Sequence, residues 1–180
     1  MNIIKIYTDG ACSGNQHDNN VGGWGAVLEF GKHQKEIFGG EINTTNNRME
    51  MKALIEALKS ITKKNQTISV FSDSSYLMDC FRKKWYENWL KNNWKTSAKK
   101  DVENKDLWVE LLELVSLHNI SFYRIKGHLN LAHPSTNPEK WYKKFIEWNG
   151  PSFTHSDFAY VVKMNNVADA LANKGIDEVR

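Results

Sequence analysis

Four acidic residues stand where a carboxylate could be held out to do chemistry. Asp9 ends the alternating run Ile3-Ile4-Lys5-Ile6-Tyr7-Thr8 and is followed at once by Gly10. Asp73 follows the β-branched run Thr67-Ile68-Ser69-Val70-Phe71 in a similar way, and Glu50 and Asp169 each fall in the first turn of a stretch with helical periodicity. Taken alone, each has an ordinary explanation. Asp-Gly is common turn chemistry, and acids at helix N-termini favour the macrodipole. Brought together, the four would repel one another, and their pKa values would rise unless a cation neutralised them. An all-carboxylate set suits Mg²⁺ or Mn²⁺ rather than zinc, which favours His and Cys.

The elements that must position these residues can be read from periodicity. Residues 3–8 alternate as a strand; 22–30 form a second, whose glycines mark a bulge or a close backbone approach; and 34–42 form a third, giving an antiparallel meander. Asn43-Thr44-Thr45-Asn46-Asn47 is a cluster of helix-cap residues, and it opens an amphipathic helix over 48–61. A fourth strand over 67–71 leads to a helix from about Tyr76. Strand, helix, strand implies parallel pairing with a right-handed crossover, and sites gather at the carboxyl ends of such strands. A helix over 106–117 and a fifth strand over 120–125 run into Lys126-Gly127-His128. The stretch 129–164 holds all three prolines and many aromatics, which predicts an ordered loop with one short helix. A capped helix over 165–174 closes the pattern. The fold class is α/β (α+β): one domain over 1–180, with about five strands, three antiparallel and then two parallel, flanked by helices.

Composition fits a globular chain and excludes a disordered one: 180 residues are 41% hydrophobic, with a mean hydropathy of -0.58. No apolar run is long enough to span a bilayer. The chain enters its first strand with no basic-then-apolar leader, and Cys12 and Cys80 are read as reduced thiols, so a cytoplasmic location is expected. The net charge is only +3, but it is unevenly spread. Between 82 and 105 stand Arg82, Lys83, Lys84, Lys91, Lys95, Lys99, Lys100 and Lys105 against Glu87, Asp101 and Glu103, with Trp85, Trp89 and Trp94 interleaved. A solvated helical face with Trp packed inward accounts for this. So does a nucleic-acid backbone, which selects concentrated cations and aromatic faces.

Five motifs then occur in order: Tyr7-Thr8-Asp9-Gly10, Asn46-Asn47-Arg48-Met49-Glu50, Ser72-Asp73-Ser74, Lys126-Gly127-His128 and Ala168-Asp169-Ala170-Leu171-Ala172. Each is weak alone. Together they make the chain resemble a type 1 ribonuclease H over most of 1–128 and again over 165–176, with 82–105 similar to that family's basic protrusion and 129–164 an inserted segment. The resemblance implies a ribonuclease H-like fold and an endonuclease that hydrolyses the RNA strand of an RNA–DNA hybrid. Two Mg²⁺ ions, with Mn²⁺ possible, would be held by Asp9, Glu50, Asp73 and Asp169, and cleavage would leave 5′-phosphate and 3′-hydroxyl ends. Asp9 would be shared between the ions, Glu50 and Asp73 would complete the shell of one or both, and Asp169 would serve the ion that activates water.

The same resemblance implies that His128 assists proton transfer or product release. The spacing to Asp169 is longer than the family's usual loop, which leaves His133 and His155 as alternatives. It also places Cys12, Asn15, Asn46, Asn47 and Ser75 along the shallow groove, where 2′-hydroxyls distinguish RNA from DNA. Thr45 and Asn46 would hold a DNA-strand phosphate, and Trp85, Trp94, Lys95, Lys99 and Lys100 would grip the DNA backbone without reading sequence. Rival readings are a related polynucleotidyl transferase and a non-catalytic hybrid-binding module. For 129–164 the readings are a local aromatic mini-core, a protein-docking face, or an extension of the nucleic-acid surface through Lys140, Lys143 and Lys144. No protein or membrane partner is indicated.

Overall fold

A computed structural model describes residues 2–14 and 20–180. Its five strands are β1 (Ile4–Ser13), β2 (Val21–Phe30), β3 (His33–Ile42), β4 (Thr67–Ser72) and β5 (Asn119–Arg124), in the sheet order β3-β2-β1-β4-β5. The first three pair antiparallel, while β4 pairs parallel to both β1 and β5. This is the meander and crossover expected from the sequence. The β1–β2 register runs unbroken from Lys5↔Glu29 to Ser13↔Val21, so the β2 glycines mark no bulge. They mark a close approach: a Cβ on Gly25 would lie 2.6 Å from the Ala168 carbonyl oxygen.

The strand carrying Asp9 is longer than the sequence suggests. It continues through Asp9-Gly10 to Ser13 because β2 extends alongside, pairing Asp9 with Gly25 and Gly10 with Trp24. The parallel ladder to β4 stops at Thr8↔Ser72. Asp9 therefore sits just past the end of β4, on a strand and not in a turn.

The helices are α1 (Asn46–Lys59), α2 (Ser75–Arg82), α3 (Trp85–Lys91), α4 (Lys105–Ser116), α5 (Pro138–Asn149) and α6 (His155–Val179). Successive strand residues point to opposite faces, so Ile6 and Tyr7 of β1 enter different cores. On one face Ile6, Leu28 and Val70 pack with Leu54 and Leu58 of α1, Leu77 of α2 and Trp108 of α4. On the other, Tyr7, Val27 and Phe71 pack with Phe145 of α5 and Phe158, Val161 and Leu171 of α6. Among the described residues no helix is long and apolar enough to cross a membrane.

The stretch 129–164 departs from expectation: it holds all of α5 and the first ten residues of α6 in place of a loop with one short helix. Asn137 caps α5 by accepting from the Lys140 amide, and Pro138 follows in the first helical turn, where its missing N–H costs nothing. Helix α6 begins at a Thr154–Asp157 capping box, not near residue 165. Asn165 and Asn166 read as caps because Asn favours helix starts, yet Asn165 is buried mid-helix, and Asn166 Nδ2 donates to the Leu129 carbonyl at 2.8 Å. Trp141, Tyr142 and Phe145 join the second core, as the mini-core reading expects of them. In 82–105 the inward-Trp reading holds in part. Trp85, Trp89 and Trp94 are half-buried against the first core, and the Trp89 ring meets that of Trp108 at a tilt of 55°, centroids 5.4 Å apart.

Candidate active site

At the carboxyl end of β4, beside β1, Asp9, Glu50 and Asp73 each offer an oxygen within 4.8 Å of the others. Asp9 is 3% exposed and Glu50 8%. Gly10 is what lets these elements meet: a Cβ there would lie 2.5 Å from the Glu50 amide nitrogen, so β1 and α1 touch backbone to backbone. Thr45 caps α1, its Oγ1 accepting from the Arg48 amide at 3.1 Å. The helix starts at Asn46, earlier than the sequence suggests, which puts Glu50 in the second turn, where the macrodipole offers little. Asp73 lies in the short link between β4 and α2, held by Ser74, which donates its amide to Ser72 Oγ and caps α2 by accepting from the Leu77 amide. Asp169 lies mid-helix in α6, away from the first turn predicted for it. It stands outside the tight trio but lines the same cleft of about 500 Å³.

The electrostatics follow from this crowding. Burial, then the charge of Asp73, holds the Asp9 carboxyl above the usual carboxylate range. Burial, then Asp9 and Asp73, pushes Glu50 up well beyond it. Asp73 is raised by burial, against the opposing pull of Asp9 hydrogen bonding and His128. Glu50 Oε2 is buried and has no hydrogen-bond partner among the described residues. A buried, unpartnered carboxylate oxygen facing two more carboxylates, with no nitrogen or sulfur ligand in the group, fits a hard divalent cation such as Mg²⁺.

His128 stands at this cleft. Its φ of 59° is left-handed, its side chain is 74% exposed, and Nδ1 lies 3.9 Å from Asp169 Oδ2. The alternatives lie elsewhere: His133 Nδ1 accepts from the Ser135 amide at 3.1 Å, and His155 stacks on Tyr142 with Nε2 3.0 Å from Glu139. Cys12, Asn46, Asn47 and Ser75 line the cleft; Thr45 does not, being engaged as the cap. Asn15 lies outside the described residues. Trp85, Trp94, Lys95, Lys99 and Lys100 also stand away from the cleft, and Lys95 pairs with Asp101.

Several residues escape a reading of the sequence. Gly127 admits Asp73, since a Cβ there would lie 2.1 Å from Asp73 Oδ2. Arg124, Lys126 and Trp148 line the cleft. Lys126 has a signal, as the first residue of Lys-Gly-His. Trp148 has none, because the sequence does not reveal the full length of the helix that carries it. Arg48, part of the Asn-Asn-Arg-Met-Glu motif, makes a two-armed bond to Asp106 at 3.0 and 2.8 Å and braces α1 on α4.

A mixed sheet of this order, with an acid-only cluster where the parallel ladder between β1 and β4 ends, defines the ribonuclease H-like class. Within that class the chain belongs to the ribonuclease H family: a family model described as RNase H matches residues 1–139. A ribonuclease H of Syntrophomonas wolfei is 52% identical over 128 residues, covering 71% of this chain and 86% of that protein. One from Clostridium botulinum is 40% identical over 178 residues, covering 99% and 98%. The fold is also that of LC9-RNase H1, described as a type 1 RNase H with the type 2 active-site motif, with TM-score 0.71 at 22% identity over 98% of this chain and 73% of that one.

Proposed function

We propose that this protein is an endonuclease that hydrolyses the RNA strand of RNA–DNA hybrids at the Asp9–Glu50–Asp73 cluster. The observation that carries this is the meeting of three carboxylates within 4.8 Å, with a buried Glu50 oxygen left without a partner. Asp9, Glu50 and Asp73 would hold two Mg²⁺ or Mn²⁺ ions with help from Asp169, Asp9 being shared because it sits between the other two elements. Held there, such a pair would supply a water acidic enough to attack at neutral pH and positive charge beside the departing 3′-oxygen, and cleavage would leave 5′-phosphate and 3′-hydroxyl ends.

The chain's own residues do the rest. Glu50 and Asp9, buried between β1 and α1, fix the cluster so that little reorganises during reaction. His128, exposed at the rim beside Asp169, receives or returns a proton and helps release product. Cys12, Asn46, Asn47 and Ser75 line the cleft where 2′-hydroxyls would pass, and they give the preference for RNA. Trp85, Trp94, Lys95, Lys99 and Lys100 belong to a basic protrusion over 82–105 that takes the DNA strand's phosphates, within one domain that also carries 129–164 as an insertion. The free thiols of Cys12 and Cys80 suit a cytoplasmic setting.

The test uses an end-labelled RNA–DNA hybrid with Mg²⁺, beside duplex DNA and duplex RNA. Cleavage of the hybrid alone is expected, with Asp9→Asn slower by on the order of 10²–10³-fold or more, the scale of losing one preorganised electrostatic group. Binding without cutting would assign a hybrid-binding module, and Asp9→Asn retaining full activity would remove the cluster from the reaction.

A further inference from the structure

Helix α5 presents two indoles, each layered with cations. Lys126 Nζ lies 5.8 Å and Lys140 Nζ 5.1 Å from the Trp141 ring centroid. The Arg124 guanidinium lies 4.3 Å and Lys144 Nζ 5.6 Å from that of Trp148. Within each pair, one cation comes from the last residue of β5 (Arg124) or just beyond it (Lys126), and the other from α5. Residues 140, 141, 144 and 148 share one stripe of the helix, and the stripe is not sealed: Lys126 and Lys140 are exposed, while Arg124, Lys144 and both indoles are half-buried. The end of α5 is fastened to β5 through Asn149, whose Oδ1 accepts from the Arg124 amide at 2.9 Å and whose Nδ2 donates to the Arg124 carbonyl at 2.7 Å. Arg82 adds a bond to the Trp148 carbonyl. The nearby acids are few. Glu139 is turned to His155, and Glu147 lies 3.6 Å from Lys144.

Arg124, Lys126 and Trp148 line the same cleft as Asp9 and Asp73, so this cationic surface is continuous with the carboxylate site. It also lies on the opposite face of the sheet from Trp85, Trp89 and Trp94, since α5 packs in the second core and those indoles pack against the first.

We propose that Arg124, Lys126, Lys140 and Lys144, carried on Trp141 and Trp148, form a phosphate-binding wall for the cleaved strand beyond the carboxylates. A nucleic-acid strand is the occupant because the wall is cationic, opens into the acid cleft, and offers indole faces. Those faces spread and rigidify the cations and can also take a sugar or base. This rests on the hybrid-cleavage reading. The wall acts by binding, so it sets KM and salt dependence and leaves the chemical step alone.

The test measures binding of a labelled RNA–DNA hybrid by fluorescence anisotropy across a range of salt, in an Asp9→Asn background. Lys140→Gln with Lys144→Gln should weaken binding about 5- to 10-fold and reduce the magnitude of the salt slope by about 2, one for each phosphate no longer neutralised. Lys63→Gln with Lys64→Gln, at the far end of the sheet, should change neither. Neutral methylphosphonate linkages in the RNA strand should abolish the difference between the parent and the Lys140/Lys144 variant, whereas the same linkages in the DNA strand should preserve it. Unchanged affinity and slope, or a difference abolished only through the DNA strand, would overturn the wall. Failure of the underlying reading has another signature: wild-type protein that leaves hybrid intact while the lysine variant still binds it less tightly.

Discussion

Gly127 shows how much a single missing Cβ can decide. Its neighbour in space is the carboxylate of Asp73, and a methyl group would need the place Asp73 Oδ2 occupies, 2.1 Å away. Gly127→Ala should therefore push Asp73 out of the cluster and lower kcat on hybrid by about 10²-fold, with a melting temperature within about 2 °C of the parent, because 127 is not buried core. Steady-state kinetics beside a thermal melt check both halves. At this scale the carboxylates were legible, since acids after alternating or β-branched runs stand out. Their reasons were less so. Asp9-Gly10 reads as a turn, yet Gly10 is there to let α1 touch β1, a contact between segments forty residues apart that no local pattern reveals.

At the scale of elements the decisive piece is α6. Its start is fixed by Thr154, which accepts from the Asp157 amide at 3.0 Å, while Asp157 Oδ2 accepts from the Thr154 amide at 2.8 Å. Thr154→Ala should cost about 1 kcal/mol and lower the melting temperature by about 2–4 °C, while kcat stays at the parent value because Asp169 lies several turns away. A fall in kcat equal to the fall seen with Asp169→Asn would contradict this. The helix was legible only in its second half. The Asn165-Asn166 pair looks like a cap in sequence. In space one side chain is buried and the other ties back to Leu129, which are tertiary roles that local propensity does not encode.

For the molecule as a whole, the antiparallel meander and the parallel crossover were legible because strand alternation and the crossover rule act over short distances, whereas the sheet order and the division into two cores emerge only in the fold. The brace between α1 and α4 was not legible either, although Arg48 and Asp106 each stand in or beside a recognisable element start. The Arg48 guanidinium holds the Asp106 carboxyl below the usual carboxylate range. A carboxylate lowered by folding contributes stability above its unfolded pKa of about 3.9, and that contribution is lost as pH falls through the lower folded value. The Asp106 side chain is largely exposed and solvent screens the pair, so it is worth at most about 1 kcal/mol. Asp106→Asn should lower the melting temperature at pH 7, and the gap to the parent should close under strongly acidic conditions. A gap that persists or widens there would mean the stability comes from packing instead.

The length of α6 has a consequence for endurance. Helix ends fray at almost no free-energy cost, whereas interior turns open only when a larger unit comes apart. A last helix beginning near 165 would carry Asp169 on the turn that opens most readily. With 25 residues from His155 to Val179, the helix runs about 37 Å, and Asp169 rides between Ala168, Leu171 and Ala172, all buried. Transient fraying at either end leaves that carboxylate in place, so the site keeps its fourth acid for as long as the second core holds.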